Sequence, residues 1–162
     1  MVKKKSFVIS ILLILSLLIF TGCSPTINVK NKEVKEFSKS ILKADKQIKE
    51  LKFYFRRPSL NAELVYDDEL STADLQFLIA EFKTLINVEF MQKIGDKYWG
   101  KGARPSGFNL YIYVGKKKDE SGNDYLVMSR YNKTHVINDD PANIDGYKTW
   151  DIWAKNDKII LE

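Results

Sequence analysis

Apolar residues recur along this chain in two rhythms, one of three to four residues and one of two. Val34, Phe37, Ile41, Ala44, Ile48 and Leu51 follow the first, which puts them on one side of a helix and leaves Lys35, Lys39, Lys43, Lys46 and Lys49 in water. Leu75, Leu78, Ile79, Phe82, Leu85 and Ile86 make a stronger stripe of the same kind. Ser71 can cap its first turn, with Asp74 three residues on. This second helix is expected at the core. Beyond Asn87 the stripe slips, so Phe90, Met91 and Ile94 belong either to a kinked extension or to a separate turn ending at Gly95.

The second rhythm governs most of the rest. Residues 52–57 and 62–66 read as two strands with a hairpin around Arg57 to Asn61, where Pro58 interrupts. Three glycines and a proline make residues 100–107 a loop. Phe108, Leu110, Ile112 and Val114 then alternate with Asn109, Tyr111 and Tyr113, as in a strand with two unlike faces. Residues 125–131, 147–153 and 158–161 supply further strands, with Asn156-Asp157 a tight turn and His135 to Ile137 a candidate for extra pairing. The order predicts an α+β fold: an antiparallel sheet of five or six strands packed on one or two helices.

Ahead of all this stands an apolar run, residues 7–20, broken by Ser10 and Ser16 and preceded by Lys3, Lys4 and Lys5. A cationic head, an apolar middle and small residues at the end are the parts of a secretory signal. Phe20-Thr21-Gly22-Cys23 resembles the bacterial lipobox, with Phe20 where that motif prefers Leu. The resemblance implies cleavage before Cys23 and diacylation of its sulfur. The expected organisation is a signal peptide over 1–22, a tether over 23–31 and a single domain over 32–162. The rival reading is an uncleaved membrane helix, but residues 6–22 fall short of the roughly 18 to 20 apolar residues that span a bilayer. Both readings hold the domain at the outer face of the cytoplasmic membrane, because the lysines stay inside.

Removing the leader takes three lysines and leaves 23 basic against 21 acidic side chains. That near balance argues against nucleic acid as a partner. Cys23 is the only cysteine, so disulfides are excluded and thiol chemistry would be lost to acylation. Between Lys30 and Arg57 ten cations face four acids. They are either the wet side of a helix packed on the sheet or an attraction for anionic lipid or wall polymer.

Candidates for chemistry are few, and no catalytic residue, metal ligand or cofactor is expected. His135 is the lone histidine, without a Gly-x-Ser-x-Gly nucleophile to serve. An envelope hydrolase would have to use it or the acidic loop 138–145. Asn138, Asp139, Asp140, Asn143 and Asp145 of that loop offer hard oxygens, but not at EF-hand spacing. Lys101 and Arg104 among glycines could cradle an anion, without the strand-loop-helix setting that such loops need. The aromatic residues point elsewhere. Tyr111, Tyr113, Trp150 and Trp153 are the expected ligand-binding residues, on a sheet face that either lies under the basic helix or stays open to a wall polymer or a membrane protein.

Overall fold

The structure, a computed structural model, describes residues 24–115, 122–134, 136–154 and 157–159. The leader with Cys23, together with His135 and Asn156, lies outside them. Among the described residues seven strands form one sheet whose spatial order is the chain order: β1 (Ile27–Asn28), β2 (Ile48–Arg56), β3 (Ser59–Tyr66), β4 (Gly107–Val114), β5 (Tyr125–Arg130), β6 (Trp150–Ala154) and β7 (Asp157–Ile159). Among the described residues three α-helices accompany it, α1 (Lys32–Ala44), α2 (Thr72–Leu85) and α3 (Val88–Tyr98). The fold is α+β as expected, with more strands and one more helix than the pattern suggested.

Neighbouring strands are antiparallel except β3 and β4, which run parallel with Leu60 beside Phe108 and Leu64 beside Ile112. A parallel pair needs a long crossover, and α2 and α3 provide it. Helix α2 starts where Ser71 and Asp74 form the expected capping box. Helix α3 is a separate helix rather than an extension, because the Asn87 side chain accepts from the Phe90 N–H at 2.9 Å and restarts the turn.

All three helices pack on one face of the sheet. Phe82 of α2 sits 5.0 Å from Phe37 of α1, 6.0 Å from Phe53 of β2 and 5.5 Å from Phe108 of β4, ring centre to ring centre. Phe90, Met91 and Ile94 bury the α3 stripe in the same core. Gly95 is required where loop 99–106 crosses α3, since a Cβ there would meet the Ala103 carbonyl oxygen at 1.9 Å.

Three expectations are corrected. The first helix ends at Ala44 with Asp45 as its C-cap, and Ile48 and Leu51 belong to β2, opposite Tyr66 and Leu64. Their spacing prolonged the helical stripe because they face the same core. The segment expected as tether holds β1, which pairs Ile27 with Phe55 and buries Val29, so only Ser24, Pro25 and Thr26 separate Cys23 from the sheet. Of the stretch His135 to Ile137, expected to extend pairing, Val136 and Ile137 do not join the sheet and lie in an irregular loop, near which a bridge pairs Asn132 with Ile144, while His135 lies outside the described residues.

Candidate functional site

The face of the sheet away from the helices is the candidate. Strand geometry sends alternate side chains there, and the registers align them in rows. One row reads Tyr54, Asn61, Asn109, Met128 and Asp151, and the next Lys52, Glu63, Tyr111, Leu126, Trp153 and Lys158. Tyr113 stands beside Val65 further along, and Arg56, Ser59, Gly107 and Arg130 close the end nearest the Pro58 turn. Helix α1, the cover expected for the tyrosines, does not cover them: it packs on the opposite face through Phe37.

The centre of this face is polar yet partly dry. Asn109 donates to Asn61 Oδ1 at 3.0 Å, and Asn61 donates to the Ser59 carbonyl at 3.1 Å. Asn61 is buried, so the amide pair meets the need of buried polar groups for partners. Burial pushes the Tyr54 hydroxyl well above its ordinary range, helped by the charge of Glu63 and a hydrogen bond to it. Tyr111 is raised chiefly by burial and also by Glu63, against the pull of Arg56. Both rings therefore stay neutral and able to donate. The Trp153 indole N–H is buried with no partner among the described residues.

Of the four expected aromatic residues, the structure brings three together. Tyr111, Tyr113 and Trp153 share the face that no described helix covers, with Tyr113 almost wholly buried among its neighbours. Trp150 faces the helices instead, 5.7 Å from the Phe108 ring, and its indole N–H donates to the Tyr147 carbonyl at 3.0 Å. In a strand, residues three apart point to opposite sides. That rule separates Trp150 from Trp153 and was available in the sequence. It also finds Tyr54, between Phe53 and Phe55, which the sequence reading passed over.

At the Pro58 end the face runs into a cleft of about 210 Å³, lined by Ser59, Ser106, Asn109, Arg130, Asn132 and Thr134 among others. The acidic loop forms part of this end, and two of its carboxylates are committed to holding it together. Asp140 Oδ1 accepts from the Ala142 N–H at 2.9 Å. Asp145 accepts from the Lys148 and Thr149 N–H groups and from Thr149 Oγ1. Burial acts to raise Asp145, but the Thr149 and Lys148 hydrogen bonds and the charge of Lys133 outweigh it and hold the carboxyl below its usual range. Among the described residues no group of three His, Cys, Asp or Glu could hold a metal ion.

The glycine loop is no anion cradle either. The Gly102 N–H already donates to Asp96 at 2.7 Å. Arg104 lies 4.2 Å over the Tyr131 ring and donates through Nε to Gln92 at 3.2 Å.

Comparison with known proteins adds no relative: no protein-family model matches the chain, and no curated protein or solved structure does. Among the described residues no helix is long and apolar enough to cross a membrane.

Proposed function

We propose that this chain is a bacterial lipoprotein, held at the outer face of the cytoplasmic membrane by an acylated Cys23, whose domain is a non-catalytic binding module for a wall polymer. The observation that carries the reading is the uncovered sheet face, where Tyr54, Tyr111 and Trp153 lie among amides, Arg56 and Asp151. Flat rings stack on the C–H faces of sugars, and neutral hydroxyls and amides bond their edges. The committed state of the Asp140 and Asp145 carboxylates supports a binding role over hydrolysis at that loop.

Two measurements test the reading. Metabolic labelling with a palmitate analogue should mark the intact protein and disappear in Cys23→Ser; unchanged labelling would sink the anchor. Detergent-solubilised intact protein should be retained by isolated wall material. Removing one ring contact in Tyr111→Ala, worth about 1.5 kcal/mol, should weaken retention about tenfold. Retention that ignores Tyr111→Ala and Trp153→Ala would reject this face as the ligand site.

A further inference from the structure

Strand β1 enters the sheet from one particular end. Ile27 pairs with Phe55 and Asn28 with Tyr54, and β1 is antiparallel to β2, so residues 24–26 leave toward Arg56, Arg57 and Pro58. Four Cα steps separate Cys23 from Ile27, a reach of at most about 14 Å. Strand β2, nine residues long, extends about 30 Å. An acylated Cys23 thus brings the Pro58 end to the bilayer and keeps the far end, near Ile48, Tyr66 and Gly115, away from it.

That end is made for such a surface. Three connections meet there: the Arg57–Pro58 turn, loop 99–106 and loop 131–149, joined by the Ser106 N–H to the Pro58 carbonyl at 2.9 Å and the Tyr131 N–H to the Ser106 carbonyl at 3.0 Å. They and the adjoining strand ends carry Arg56, Arg57, Lys101, Arg104, Arg130 and Lys133. Several of these cations are held by carbonyls or rings. Arg57 reaches the Trp99 carbonyl at 3.4 Å and Lys133 the Ala142 carbonyl at 2.9 Å, while Arg104 stacks on Tyr131. The acids at this end are Asp96, Asp139, Asp140, Asp145 and Asp151, the last sharing a cleft with Arg130 and Lys133 and ion-paired with Lys158. Asp96 and Asp145 are tied inward by Gly102 and by Thr149 and Lys148.

Beside the cations stand the two most exposed large apolar residues described, Val136 at 61% and Ile137 at 76%. Water gives them no reason to stay out. Their loop is braced in that posture, with Asn143 Nδ2 donating to the Val136 carbonyl at 2.8 Å and Asn132 Nδ2 to the Asn138 carbonyl at 2.9 Å.

We propose that this end of the domain docks on the anionic bilayer surface that holds the anchor, with Val136 and Ile137 entering the headgroup region and Arg56, Arg57, Lys101 and Arg130 meeting lipid phosphates. The proposal rests on acylation of Cys23. Cations at an anionic surface and apolar side chains at the acyl boundary reinforce each other, as in proteins that lie on membranes. Docking stands the sheet on end, so the uncovered face looks sideways along the membrane and remains open to a polymer.

The test uses the intact lipidated protein in vesicles, with an environment-sensitive dye on Ile137→Cys. A second protein carries the dye on Asp68→Cys, an exposed position at the far end. In vesicles containing phosphatidylglycerol the dye at position 137 should shift to the blue, and the dye at 68 should not. The shift should shrink in zwitterionic vesicles and in high salt, which screens surface charge. Arg56→Glu and Arg130→Glu should each lower the docked population about fivefold. A dye at 137 that reports water in anionic vesicles, on protein that floats with them, overturns docking and leaves the anchor standing. Protein that takes dye on Cys23 or fails to float overturns both.

Discussion

The two faces of this sheet are made from the same strands and do opposite things. Toward the helices β4 sends Phe108, Leu110 and Ile112, each fully buried; away from them it sends Asn109, Tyr111 and Tyr113. The covered face is a jigsaw in which Phe82 touches three other rings. On the uncovered face polar groups pair sideways across strands, Asn61 with Asn109 and Tyr54 with Glu63. The covered face therefore buries most of the apolar side chains, while the other buries chiefly Asn61 and Tyr113.

Mutation and pH can break or sharpen that contrast. Phe82→Ala opens a cavity among Phe37, Phe53 and Phe108 and should cost about 3 to 5 kcal/mol, seen as a large fall in the denaturant midpoint. Gly95→Ala forces loop 99–106 off α3 and should cost about 1 to 3 kcal/mol; hydrogen exchange should rise in that loop before the rest. Tyr111→Ala, on the uncovered face, should cost on the order of 1 kcal/mol or less, a thermal shift far below that of Phe82→Ala. An equal loss would mean that the two faces share the work of folding.

The smallest effect is one of pH. Asp145 is held below its ordinary value of 3.8, so its contribution is full above that value and is lost as pH falls through the lower, folded one. Melting curves should show a modest acid weakening centred below pH 4 that Asp145→Asn reduces. No change in the acid limb would remove Asp145 as a clamp on loop 131–149.

Most of the covered face was legible in the sequence, because burial writes itself as period. The Ser71–Asp74 box and the α2 stripe needed no tertiary information, and neither did the alternation of β4. The end of α1 was hidden: Ile48 and Leu51 satisfy a helix and a strand equally well when both face one core. The side on which α1 packs was hidden too, since an amphipathic helix fits either face until Phe37 meets Phe82. At the candidate face, only the placement of the aromatic residues was legible, and only in part. Tyr111, Tyr113 and Trp153 follow from strand parity, which equally removes Trp150. The Asn61–Asn109 pair depends on the register of two strands more than forty residues apart, and nothing local encodes it.

Because among the described residues no strand is inserted between two earlier ones, a chain delivered N-terminus first can assemble this sheet by accretion, each newcomer joining the exposed margin of the last. No completed pairing has to open again. The longest pause comes at the crossover, when β3 waits unpaired on one side until both helices have passed and β4 arrives. A helper that shields nascent chains would be most useful at that moment, and slowing delivery between residues 67 and 106 should lengthen the exposure of that margin more than slowing it anywhere later.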